Sequence, residues 1–167
     1  MVSDERWFLG ADPGLTGAVV IWNPEADQLR VFDMPVIEGQ GKKGQRVVNP
    51  FELSRLIRPY AGRIAGSVVE QVGSRPGQAV GAIFSFGDSF GALRGAMAGL
   101  GLPLEYVKPE LWKRAMGVTS DKSTSLAMAT ELLPRHANNW TRKKDDGRAE
   151  AALLAVYAHR KWRAIYD

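Results

Sequence analysis

Trp7-Phe8-Leu9-Gly10-Ala11-Asp12-Pro13-Gly14-Leu15-Thr16-Gly17-Ala18-Val19-Val20-Ile21-Trp22 decides the fold of this chain. Two apolar runs, 7–11 and 18–22, flank a turn written by Asp-Pro-Gly, so the spacing predicts two short strands, 7–12 and 18–22. Asp12 stands where the first strand emerges from the core. An acid at such a point is costly unless it is paired, hydrogen-bonded or bound to a cation. Glu70 repeats the pattern: it ends the run Gly66-Ser67-Val68-Val69 just ahead of the loop Gly73-Ser74-Arg75-Pro76-Gly77. Two emerging acids on strands that could be neighbours point to a cation.

Outward from this stretch the pattern is α/β. A third strand at 28–34 follows Asn23-Pro24 and completes an antiparallel meander. A Gly/Lys-rich loop comes next. Asn49-Pro50 then opens a helix with Phe51, Leu53, Leu56 and Ile57 on its inner side. Strands are expected at 66–71 and 102–107, and helices at 77–100, 109–116, 121–133 and 147–162. The 77–100 segment is rich in glycine and alanine, which allows close backbone approach but weakens intrinsic helicity.

Composition bounds the function. A chain of 167 residues with 45% hydrophobic content fits one domain spanning 1–167 with a proper core. No apolar stretch approaches the roughly 20 residues that span a bilayer. The N-terminus lacks a basic segment followed by an apolar one, so a cytoplasmic protein that does not act at a membrane is expected. With no cysteine, a metal must be held by oxygen ligands or by His136 and His159, and oxygen points to Mg²⁺ or Mn²⁺. The net charge is +4, and the cations cluster. Lys42, Lys43 and Arg46 form one group, Lys108 to Arg114 (with Lys113) a second, Arg142, Lys143 and Lys144 a third, and Arg160, Lys161 and Arg163 a fourth. Basic segments around an acidic site are the arrangement a metal-dependent nuclease needs.

The last acids lie at the start of the terminal helix. Glu150 is one turn after Asp146, so the two share a helical face, as a joint metal site requires. Asp145 is the substitute, and either aspartate could instead serve as a helix-end charge.

In this order of elements, five fragments resemble the RuvC-type Holliday junction resolvases of the ribonuclease H-like nuclease superfamily. They are Gly10-Ala11-Asp12-Pro13-Gly14-Leu15-Thr16-Gly17, Val68-Val69-Glu70-Gln71-Val72, Lys113-Arg114-Ala115-Met116-Gly117, Asp121-Lys122-Ser123, and Asp146-Gly147-Arg148-Ala149-Glu150-Ala151-Ala152-Leu153-Leu154-Ala155. The terminal stretch is closest in style to phage versions. The resemblance implies a ribonuclease H-like fold, with a mixed five-stranded sheet of three antiparallel strands and parallel additions, flanked by helices. It implies a homodimeric endonuclease that cuts four-way or other branched DNA by paired nicks. Asp12, Glu70, Asp146 and Glu150 would be catalytic and would hold two Mg²⁺ ions, with Mn²⁺ a substitute and Asp145 a possible further ligand. Lys122 matches a lysine kept near the scissile phosphate. Lys42, Lys43, Arg46, Arg75, Lys113, Arg114, Lys122, Lys143 and Lys144 are the expected DNA contacts.

The chain also departs from the family. Bacterial resolvases present the last two acids three residues apart, where this chain has Gly147 before Glu150. The aromatic wedge expected after the glutamate strand is replaced by Gly73-Ser74-Arg75, and Phe84, Phe86 and Phe90 are candidates for it, each more readily a core residue. Other readings are a ribonuclease H-like nuclease acting on RNA·DNA hybrids and a non-catalytic junction-binding protein. The Asp12–Gly17 turn also resembles the phosphate loop of sugar kinases and actin-like ATPases, but those are far longer chains.

Overall fold

The structure, a computed structural model, describes residues 5–39, 46–74 and 76–166. Lys42, Lys43 and Arg75, expected as DNA contacts, lie outside the described residues.

Five strands form one sheet in the order β3-β2-β1-β6-β7: β1 Trp7–Ala11, β2 Ala18–Asn23, β3 Gln28–Asp33, β6 Ile64–Glu70 and β7 Leu104–Val107. The first three are antiparallel, with Leu9 opposite Ile21 and Val20 opposite Val31. β6 runs parallel to β1, and β7 parallel to β6. This is the mixed sheet expected from the sequence. Each residue of β1 is buried, because helices cover both faces of the central strands.

Alternation along the strands sorts their side chains to two cores. Phe8, Val20 and Val68 face α5 (Asp146–Tyr166), α3 (Pro109–Met116) and α4 (Lys122–Leu132). Trp7, Leu9, Val19, Ile21 and Val69 face α1 (Pro50–Ile57) and α2 (Val80–Gly99). Leu153 and Leu154 are wholly buried, and truncating either to alanine would cost about 2–5 kcal/mol. Alpha5 lies hard against β1: a Cβ built at Gly10 would fall 2.1 Å from the Ala151 carbonyl oxygen. Caps fix the helix starts, with Asn49 accepting from the Glu52 N–H at 3.1 Å and Asp121 from that of Ser123 at 2.9 Å.

Several elements differ from the sequence reading. The region after β3 read as loop contains an antiparallel hairpin, β4 (Val36–Glu38) with β5 (Arg46–Val48), joined through residues whose composition carries no strand pattern. Two short 3₁₀ segments, Pro134–Trp140 and Lys143–Asp145, connect α4 to α5. Alpha5 begins at Asp146, one residue before the expected start, and extends to Tyr166. The α2 helix begins at Val80, and its first half is largely uncovered. Phe84, read as more readily a core residue than a wedge, is 75% exposed. Phe90 packs on the core against Tyr106, while Phe86 is half-buried. Among the described residues no helix is long and apolar enough to cross a membrane.

Candidate active site

The parallel pairing of β1 with β6 sets Ala11 beside Val69, so Asp12, just past β1, and Glu70, the last residue of β6, lie at the same end of the sheet. The Asp12 N–H donates to the Ala18 carbonyl at 3.0 Å, and Asp12 Oδ1 accepts from the Gly14 N–H at 3.2 Å. The turn thus holds this carboxylate in place. Burial pushes the Asp12 carboxyl up to about 7, and the charges of Glu150 and Glu70 add to the rise; the Gly14 N–H and Lys122 oppose it.

Alpha5 brings in the other two acids. Glu150 is 7% exposed, and its Oε1 accepts from Lys113 Nζ at 3.1 Å and from the buried Ser125 hydroxyl at 3.3 Å. Asp146, the first residue of α5, accepts from Lys122 Nζ. That bond raises the Lys122 ammonium above its usual range, with Glu150 and Asp12 contributing through their charges. Lys122 is thus bonded to Asp146 and coupled through charge to Glu150 and Asp12. Glu70 Oε2 accepts from the indole N–H of Trp112 at 2.8 Å.

Asp145 has other partners. Its carboxylate is 4% exposed and gripped by the Arg142 guanidinium, with contacts of 2.7 and 3.0 Å, while it also accepts from the Arg142 backbone N–H at 2.9 Å. Arg142 holds this carboxyl down at about 2. Asp145 lines a cleft of about 390 Å³ with Thr16, Asp33, Arg46, Lys144 and Arg148. Arg148 in turn grips Asp33 through two 2.6 Å contacts, tying α5 to the end of β3.

Of the expected DNA contacts, Arg46 and Lys144 meet in that cleft, Lys113 and Lys122 lie among the acids, and Arg114 and Lys143 are exposed. A second cleft, of about 450 Å³, opens beside Glu70 between Gln71, Ser74, Phe86 and Lys108. His136 pairs with Asp27, and His159 packs against the rings of Phe8 and Trp22. Sequence reasoning missed Trp112, Ser125 and Arg148, and it read Arg142 only as a member of a basic cluster. Only Arg142, three residues before Asp145, carried a readable signal.

The donor chemistry suits a hard divalent cation: carboxylate oxygens only, one of them a buried acid whose ionisation is resisted by its neighbours. Two ammonium groups already neutralise Asp146 and Glu150, which marks the place as one that requires positive charge. Among the described residues no three acids or histidines are drawn around a single point, since Asp146, Glu150 and Glu70 are turned to Lys122, Lys113 and Trp112.

Neither a protein-family model nor a curated protein matches the chain. Solved structures do. Thermus thermophilus RuvC in complex with a Holliday junction substrate aligns over 96% of both chains with a TM-score of 0.57 at 16% identity. Another structure of Thermus thermophilus RuvC aligns over 96% of both with a TM-score of 0.52 at 18% identity. The yeast mitochondrial Holliday junction resolvase Ydc2 aligns over 93% of this chain and 78% of its own, with a TM-score of 0.51 at 17% identity. At these identities the likeness is one of fold. The chain has the ribonuclease H-like fold of the RuvC-type resolvases.

Proposed function

We propose that this protein is a structure-selective DNA endonuclease that resolves four-way junctions by paired, Mg²⁺-dependent nicks. The observation that carries the reading is a cluster of charges at one end of the sheet: Asp12 couples to Glu70 and Glu150, and Lys122, bonded to Asp146, couples to Asp12 and Glu150. Support also comes from the fold shared with a RuvC structure in complex with a Holliday junction substrate.

In this reading the four carboxylates hold two Mg²⁺ ions, with Mn²⁺ able to substitute. When bound, the ions supply an activated water and charge neutralisation at the leaving 3′ oxygen of an in-line displacement. The acids must be ionised to hold the ions, and in the metal-free protein burial opposes that ionisation at Asp12. Lys122 provides a point cation beside the scissile phosphate, where negative charge develops. Arg46, Arg114, Lys143 and Lys144 contact the phosphate backbone, which fixes register without reading sequence. Val80 and Phe84, 83% and 75% exposed at the start of α2, give an apolar face on which two copies pair. A twofold dimer would set two sites on opposing strands, matching the symmetry of the junction.

The test is cleavage by the purified protein, in Mg²⁺, of a synthetic four-way junction and of an RNA·DNA hybrid of the same sequence. Symmetric nicks in the junction alone support the reading. Preferential cleavage of the hybrid would make the protein a ribonuclease H-like enzyme, and binding without cleavage would make it a junction-binding protein.

A further inference from the structure

Trp112 is wholly buried in α3, and its indole N–H is the only polar atom of the ring. Trp140 spends the same group on a threonine hydroxyl, Thr130 Oγ1 at 3.1 Å, and those of Trp7 and Trp22 are buried without a hydrogen-bond partner. Trp112 alone of these four gives it to a carboxylate, Glu70 Oε2, at 2.8 Å. Its position is fixed at both ends of a short helix: Pro109 opens α3, and Gly117, at φ 71°, closes it. The ring packs in the same core as Val68 and Val107, on the strands that flank the site.

The chemistry of this contact differs from that of the other acids. Lys113 and Lys122 bring a full positive charge to Glu150 and Asp146. An indole N–H orients a carboxylate oxygen without itself bringing a charge. We propose that Trp112 is a positioning residue of the metal centre: its N–H fixes Oε2 of Glu70 and so sets the direction in which this carboxylate meets a divalent cation. The inference rests on the reading of the four acids as that centre. Groups that hold a metal ligand in this way usually matter about 10- to 100-fold in metal affinity.

The test uses Mn²⁺ alone as probe, with its affinity measured by calorimetry on the full chain. Trp112 is replaced by its benzothiophene isostere, which keeps the ring volume and removes only the N–H; Trp112→Phe serves as a second variant, and Glu70→Gln as reference. In parallel, the indole resonance that disappears in Trp112→Phe is followed in ¹⁵N-labelled protein during the titration. The isostere should melt like wild type and bind Mn²⁺ about 10- to 100-fold more weakly. With diamagnetic Mg²⁺, the Trp112 resonance of wild type should shift saturably, and Glu70→Gln should abolish that shift. Wild-type affinity in the isostere, with weakened binding in Glu70→Gln, would overturn the inference and leave the metal centre standing. Failure of wild type to bind Mn²⁺ would remove the metal centre and the inference with it.

Discussion

The backbone of Gly147 rests on the turn that follows β1: a Cβ built there would fall 2.7 Å from the Thr16 carbonyl oxygen and 3.3 Å from Asp12 Oδ2. The first turn of α5 and the turn carrying Asp12 are therefore one packed unit. The contact also explains a departure from the family pattern. The position three before Glu150 has no room for a carboxylate, and the acid stands one residue earlier, at 146.

Gly147→Ala should separate catalysis from binding. The added methyl meets backbone on two sides, Thr16 and Gly17, and backbone yields only by moving the start of α5. We expect junction cleavage to fall about a hundredfold, as a misplacement of about an ångström can cause, with junction affinity little changed in a gel-shift assay.

Asp146→Asn and Glu150→Gln should each be as damaging as Asp12→Asn. Asp145→Asn should cleave nearly as wild type. Its partner is Arg142, so its loss should appear as a lower melting temperature rather than a slower cut. Single-turnover cleavage and thermal melts of the same preparations give the comparison, and severe loss of cleavage in Asp145→Asn would reassign the ligand.

The raised Asp12 carboxyl makes metal-free stability depend on pH in a defined direction. Between its ordinary value of 3.8 and about 7 the folded protein binds this proton more tightly than the unfolded chain. Asp12 therefore contributes stability below that window that is lost as pH rises through it. Melting temperature in EDTA should fall from pH 4 towards 8 by more in wild type than in Asp12→Asn. Mg²⁺ should restore more stability at pH 8 than at pH 5, because the cation binds the ionised acid.

Two copies paired through the start of α2 should be separated by Val80→Asp with Phe84→Glu, both on exposed positions of the helix. Sedimentation should show the wild type as a dimer and the double variant as a monomer. The variant should release singly nicked junctions in place of paired products. A double variant that stays a dimer would place the two sites by some other surface, and a wild-type monomer at assay concentration would contradict the pairing.

Much of this was legible in the sequence, for reasons that differ by element. The strands around Asp12 and Glu70 show as apolar runs because both faces are buried, and Asp-Pro-Gly marks the return between β1 and β2. Helical spacing set Asp146 on the face of Glu150, and the structure bonds Asp146 to Lys122 and Asp145 to Arg142. The β4–β5 hairpin was not legible, since strands of three residues carry too little alternation to stand out from a loop. Phe84 was misread because an apolar helix residue has the same signature whether it faces a core or an open surface. Trp112 and Ser125 reach the acids only through tertiary packing, with sequence separations of 42 and 25 residues.

The most direct test of the central claim is the rate of Mg²⁺-dependent nicking of a synthetic four-way junction by wild type, Asp12→Asn and Glu70→Gln, with junction binding measured in the same buffer. We predict paired nicks by wild type alone and junction binding by all three, because phosphate contacts do not depend on these acids. Cleavage at the wild-type rate by either variant, or none by wild type, would contradict the account.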